Sequence, residues 1–230
     1  SLKLTPVDHG QALAQPLSVA GLRVRWLKLA GNQALARSIE QRCQEVLRTL
    51  ERAGAVIEPI DETLENPGRT WKVLQQANWA ARWGAKLSDI EGAIEPGYAQ
   101  GIREGLALRG VDVMQAANRR TEIFRRVQGW LTDFELIASP VMSAPPLLLS
   151  HAADQPLVID GRTVGDLREE WIPYLNLFNL SSHPAIAIPV GVDGDGLPVS
   201  IQFVARWQGD ALLIRLAAWL RDQAGFTCGR

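Results

Sequence analysis

The chain has 230 residues, enough for one large domain or two small ones with a substantial core. Its apolar fraction of 47% and charged fraction of 21% are those of a globular protein and argue against disorder. A formal net charge of −1 gives no global attraction to nucleic acid or anionic membrane, and the longest apolar runs are strand-length, far short of a membrane span. Cys43 and Cys228 are the only cysteines, too far apart in sequence for a disulfide framework or a redox pair. A cytoplasmic protein is expected, and no signal-peptide pattern opens the chain. The first residue is Ser1 rather than Met, which reads as a processed, cleaved or engineered piece.

Residues 1–20 hold Pro6 and Pro16 and show no period, so an arm or linker is expected there. Leu22, Val24 and Trp26 alternate with Arg23 and Arg25, the pattern of a half-buried strand. Leu35, Ile39, Cys43, Val46, Leu47 and Leu50 then fall on one face of a helix, with Gly54 as its stop. Residues 55–60 read as a short strand, which makes a βαβ unit with a parallel pair. A helical pattern follows over residues 67–86, and Pro96-Gly97 is expected to break the chain. Asp112 and Gln115 resemble a capping box for a helix through Leu131, with Val113, Ala117, Thr121, Phe124 and Leu131 inward. Residues 134–139 form a strand ended by Pro140, and residues 141–150 a proline-bearing loop.

Asp160-Gly161 between two short apolar runs is a hairpin signal. Residues 185–190 and 199–204 are strands joined by a glycine-rich turn, and Asp210 is expected to cap a last helix bearing Leu212, Leu213, Leu216 and Leu220 inward. The fold class is α/β, a mixed sheet flanked by helices, with no convincing linker dividing the chain. One side of that sheet is expected to lack a cover.

Most familiar chemistries are absent from the pattern. His9, His151 and His183 show no metal-ligand spacing, and no metal is expected. A calcium loop starting at Asp193 would need a carboxylate where Val204 stands. The glycines at 191, 194 and 196 join two strands instead of leading into a helix, so they cradle no phosphate. Arg119, Arg120, Arg125 and Arg126 read as a solvated or salt-bridged helix face, not a nucleic-acid contact. Ser181-Ser182-His183 lacks the spatial arrangement and third orienting group of a catalytic pair and reads as a turn before a strand. Glu169 and Glu170 suit the first turn of a helix.

Residues 171–202 carry a more specific pattern. Trp171 leads to a Phe178-Asn179 turn, a Pro184-Ala185 step and an apolar strand closing on Pro189-Val190-Gly191; Gly196-Leu197-Pro198 and a strand bearing Gln202 follow. This resembles the C-terminal signature of the amidase signature family of hydrolases. Residues 134–140 are similar to the family strand that ends in Pro near the pocket, and residues 21–27 with the helix after them resemble the elements that follow its catalytic region. Two departures stand out: Ser182 where many members have Gly, and Glu135 where Asp is usual.

The resemblance implies the C-terminal part of an amide C–N hydrolase fold, acting on a small-molecule amide without a cofactor. Members use a nucleophilic Ser, a bridging Ser in a cis peptide and a Lys base, set in a Gly/Ser-rich region. This chain has only Lys3, Lys28, Lys72 and Lys86 and no such region, so no catalytic residue carries over and the catalytic set is expected outside it. The resemblance places Val141, Met142, Trp171, Phe178, Asn179, Ser181 and His183 toward the substrate. The expected partner is the missing N-terminal amidase segment, or else a second copy of the chain; neither nucleic acid nor membrane is expected. The alternative is a non-catalytic binding or interaction module that retains the amidase-like fold.

Overall fold

The computed structural model describes residues 8–151 and 155–223. Lys3, Pro6 and Cys228 lie outside the described residues.

The Asp8 carboxylate accepts the Gln11 N–H at 3.1 Å and caps a short helix, α1 (His9–Leu13). Within the stretch expected as an arm, residues 8–20 are tied down: Arg215 donates to the carbonyls of Gln15 at 3.1 Å and Pro16 at 2.6 Å, and α1 rests on the last helix. In β1 (Arg23–Trp26) Val24 and Trp26 are buried, while the Arg23 and Arg25 guanidinium groups lie 4.4 Å from the centre of the Phe134 ring. α2 (Arg37–Arg52) buries Ile39, Cys43, Val46, Leu47 and Leu50 on one face. Gly54 stops it at φ +94°, a conformation glycine adopts freely, and a Cβ there would stand 3.1 Å from the Ala20 Cα. β2 (Val56–Pro59) pairs parallel with β1, completing the βαβ unit.

The connection from β2 to the next strand is helical. It runs through α3 (Gly68–Trp83), a 3-10 turn, α4 (Leu87–Ile90), a second 3-10 turn, α5 (Pro96–Leu106) and α6 (Gly110–Trp130). Pro96, expected at a break, instead opens α5, where its missing N–H is no loss. The Glu95 carboxylate caps that helix through the N–H groups of Gly97 at 3.0 Å and Tyr98 at 2.9 Å. The N-cap of α6 is Arg109, not Asp112; the Asp112 carboxylate reaches back to the Arg109 Nε at 2.9 Å. With the start of α6 moved, its buried face is Ala116, Ile123, Val127 and Trp130 in place of Val113, Ala117, Thr121 and Phe124.

β3 (Leu136–Pro140) is buried throughout, includes Pro140 and pairs parallel with β1. A hairpin follows, β4 (Leu157–Ile159) and β5 (Arg162–Gly165), turning through Asp160 at φ 49° and Gly161 at φ 81°, the left-handed pair that a two-residue loop needs. α7 (Leu167–Trp171), α8 (Pro173–Ser181), β6 (Ala185–Val192), β7 (Pro198–Ala205) and α9 (Asp210–Arg221) complete the chain. Asp210 is the first residue of α9 and makes no capping bond; Gly209 holds the cap position, and the Asp210 charge favours the positive helix end instead.

The main sheet has the order β2-β1-β3-β7-β6, with β7 antiparallel to both its neighbours. α2, α9 and the hairpin cover one face, packing Val46, Leu50, Leu157 and Leu216 on Val24, Leu136 and Phe203. The opposite face is covered too, contrary to the open side expected: Ile123, Val127, Tyr174, Leu177 and Phe178 of α6 and α8 pack on Ile137 and Val204. β6 remains open there, with Ala185, Ala187 and Pro189 exposed, and so does β2 at Val56. No helix among the described residues is long and apolar enough to cross a membrane.

Candidate functional site

The C-terminal ends of parallel strands are where open α/β sheets place their ligands, because the loops there are free to diverge. Here the loops after β1 and β3 meet the α7–α8 junction. Gly31, at φ +89°, lets the first loop pass so close to the next that a Cβ would stand 2.5 Å from the Asn66 nitrogen. Asn32 closes this loop on itself, accepting from the Ala30 N–H at 2.9 Å and donating to the Ala34 carbonyl at 2.7 Å. The fully buried Tyr174 of α8 then holds it, its hydroxyl donating to the Lys28 carbonyl at 2.7 Å.

The loop after β3 is stitched to the same junction. The Ser143 N–H donates to the Trp171 carbonyl at 3.0 Å, the Ser143 hydroxyl donates to the Glu170 carbonyl, and Trp171 Nε1 donates to the Ala144 carbonyl at 3.0 Å. The Glu170 carboxylate, only 7% exposed, accepts the Gln33 N–H at 2.7 Å and so joins the β1 loop to this knot. Burial pushes the Glu170 carboxyl above the usual range; the Gln33 bond opposes that shift, while the neighbouring Glu169 and Asp166 add to it.

Of the residues expected to face substrate, Val141, Met142 and Trp171 are brought together at this knot, each partly exposed. The others lie elsewhere. Phe178 is a core residue packed with Val127 and Val204. Asn179 is exposed near the C-terminal end of α8, and Ser181 is buried with its hydroxyl donating to the Phe178 carbonyl at 3.3 Å. His183 is 6% exposed and stacks on Phe124 with centroids 5.5 Å apart. Neither ring nitrogen of His183 has a hydrogen-bond partner. Burial lowers its pKa; the Ser181 carbonyl pulls the other way but lies outside hydrogen-bonding geometry. Nine residues of helix span about 13 Å, so the two groups sit at opposite ends of α8.

The two sequence departures have local explanations. Ser182 takes φ 56°, a left-handed conformation that favours glycine, and is held there by Arg120, which donates to the Leu180 carbonyl at 2.9 Å and the Ser182 hydroxyl at 3.0 Å. Glu135 accepts the Arg23 N–H at 2.8 Å, a bond any carboxylate of suitable reach could make. A hollow of about 480 Å³ borders the knot, lined by Ala144, Pro146, Leu148, His151 and Val158 among others, and includes none of the seven expected residues.

Sequence reasoning missed the buried polar pair Ser139 and Gln202, which face each other across β3 and β7 with the Gln202 amide 3.4 Å from the Ser139 hydroxyl. A lone Gln in the apolar run from Ile201 to Val204 was the available signal. In the sequence Glu170 is only a helix first-turn residue, and nothing local marks it as buried. Cys43 offers no nucleophile: burial raises its thiol pKa to about 12.

This arrangement has the fold of the amidase signature enzymes. A bacterial aryl acylamidase of that family superposes with a TM-score of 0.83 at 20% identity, over 98% of this chain and 49% of that one. A 6-aminohexanoate cyclic dimer hydrolase gives 0.78 at 19% identity, over 99% and 49%. The Amidase family profile matches residues 5–214, and the chain belongs to that family. An acylamidase of Rhodococcus erythropolis is 28% identical over 204 residues, covering 87% of this chain and 42% of that protein. The chain spans about half the length of the relatives it matches.

Proposed function

We propose that this chain is the C-terminal portion of an amide hydrolase, contributing part of the substrate pocket while a separate segment supplies nucleophile and base. The observation that carries this reading is the condition of its serines and lysines. Ser139, Ser143 and Ser181 are buried, and each hydroxyl donates to a main-chain carbonyl. Lys28, Lys72 and Lys86 are exposed, the first two paired with Glu40 and Glu104. A lysine base must be buried and neutral to take a proton, and a serine nucleophile must face such a base. No described serine and lysine stand in that relation.

In this reading Val141, Met142 and Trp171 line the acyl side of the pocket. Asn179 is exposed at the other end of α8, while the buried Phe178, Ser181 and His183 act through packing. The test is turnover of simple amides and aryl amides by the 230-residue chain alone and after extension with its upstream coding sequence. Inactivity alone and activity after extension support the proposal. Turnover by the isolated chain that Ser181→Ala or Ser182→Ala abolishes overturns it. The double covering of β1, β3 and β7 favours a second reading, an independent binding module, which an extension encoding unrelated sequence would select.

A further inference from the structure

The His183 imidazole is 6% exposed, and neither ring nitrogen has a hydrogen-bond partner. Buried polar groups are satisfied nearly everywhere in native proteins, so an orphaned imidazole is exceptional. What holds it is aromatic. Phe124 of α6 stacks on the ring with centroids 5.5 Å apart and planes at 29°, and Trp207, just after β7, meets the same Phe124 ring at 5.3 Å and 60°. The three rings thus join α6, the turn between α8 and β6, and the turn between β7 and α9. Among the described residues, three other than glycine have a left-handed backbone, and two of them adjoin this stack in sequence. Ser182, at φ 56°, precedes His183, and Gln208, at φ 67°, follows Trp207. Such residues persist only where their surroundings hold them.

The elements around the ring offer a protonated His183 no counter-ion. α8 and β6 carry no charged residue. On α6, Arg120 lies one turn before Phe124 on the same face and donates to the Leu180 carbonyl and the Ser182 hydroxyl, which brings a guanidinium to the turn that holds His183. Arg119 and Glu122 of α6 pair with each other, Arg126 pairs with Glu62, and Arg125 is exposed. After β7, Arg206 donates to the carbonyls of Leu131 and Thr132, and Asp210 is exposed at the start of α9. An imidazolium in this place would be a buried charge near a guanidinium, with no carboxylate bonded to it.

We infer that His183 is the proton-sensitive element of a joint between α6, the α8–β6 turn and the β7–α9 turn. Neutral, it keeps the joint closed; protonated, it leaves the Phe124 stack for water, and the joint opens while the sheet stays folded. Two main-chain bonds bracket the ring and are lost on opening: the Ser182 N–H to the Phe178 carbonyl at 2.8 Å, and the Ala205 N–H to the Pro184 carbonyl at 3.0 Å. In the closed joint burial holds the ring below its ordinary value of 6.5, whereas in the open joint water restores that value. The open form therefore gains as pH falls below 6.5, by at most about tenfold per pH unit, and the gain ends once the closed form is protonated too. α8 also carries Tyr174, which holds the β1 loop, so the joint and the candidate site share a helix. The inference stands whether or not the chain belongs to an amide hydrolase.

The test is residue-resolved hydrogen exchange on the 230-residue chain from about pH 8 to about pH 4, corrected for the intrinsic pH dependence of exchange, beside an NMR titration of the His183 ring. The ring should titrate below 6.5. As pH falls, the Ser182 and Ala205 amides should lose at least about threefold in protection, levelling off where the ring titrates, while the amides of β3 keep theirs. His183→Phe keeps an aromatic ring on Phe124 and cannot titrate, so the pH-dependent loss should disappear. If that variant does not fold, the wild-type titration and exchange decide alone. A ring that titrates at or above 6.5 overturns the inference, as does protection lost at Ser182 and Ala205 only together with β3. An equal loss in a folded His183→Phe overturns it as well.

Discussion

Glu170 joins the loop after β1 to the loop after β3, and removing its carboxylate tests whether that knot holds the site together. Glu170→Ala leaves the Gln33 N–H without its 2.7 Å acceptor; the bond is part-buried, running from the exposed Gln33 to the buried Glu170. A hydrogen bond to a charged acceptor contributes about 1.5–3 kcal/mol. For a chain of this size each kcal/mol lowers the melting temperature by about 2–4 °C, so a fall of roughly 3–12 °C is expected. Glu170→Gln keeps an acceptor oxygen and removes only the charge. The folded-state carboxyl titrates above its ordinary value because it is buried, so the folded chain holds more protons than the unfolded chain just above pH 4.5. Stability from this group is complete below that pH and is lost as pH rises through the raised value. Urea unfolding of wild type and Glu170→Gln between pH 4 and 8 reads this directly. The variant should gain on wild type as pH rises through that range, after which the difference between them stays constant. A wild type that instead gains on the variant with rising pH refutes the burial argument, and an alanine variant within 0.5 kcal/mol of wild type, as a rough threshold, refutes the knot.

Tyr174→Phe should destabilise by about 0.5–1.5 kcal/mol in calorimetry, because the hydroxyl of the fully buried Tyr174 gives up its part-buried bond to the Lys28 carbonyl. His183→Asn in the extended protein should change turnover by less than about tenfold, or roughly 1.4 kcal/mol, since His183 stacks on Phe124 and neither ring nitrogen bonds a serine hydroxyl; a loss near a thousandfold would make it a general base. The lowered pKa of His183 means that its stabilising contribution is present above pH 6.5 and lost as pH falls through the depressed value, a slope His183→Asn should remove from acid-unfolding curves. Changes at Met142 and Trp171 should alter substrate choice by about 1–3 kcal/mol of discrimination per methylene of pocket volume; unfolding of Trp171→Leu with an unchanged substrate profile would assign Trp171 to packing. Light scattering on the short chain should show self-association, as for a fold that lacks a neighbour, and a monodisperse monomer that binds no hydrophobic dye would favour the independent module.

Features encoded within a few residues of each other were legible before the fold was known. The apolar stripe of Ile39, Cys43, Val46, Leu47 and Leu50 announced α2, the Arg23–Trp26 alternation announced β1, and Asp160-Gly161 announced the hairpin. Residues 171–202 identified the family for the same reason, as a contiguous run of turn and strand chemistry. Caps were harder. Arg109 has no capping preference, and only the return of Asp112 to it makes it the start of α6. Properties that depend on distant partners were not legible. The Gln33–Glu170 bond joins residues 137 apart in sequence, so whether Glu170 is a solvated first-turn acid or a buried clasp is decided by how the loops converge. The covering of both sheet faces likewise depends on where the helices between β2 and β3 carry the chain, and with it which strand keeps a free edge. A hydrophobic pattern tells a strand which side to bury; only the assembled sheet shows which of its edges has a neighbour.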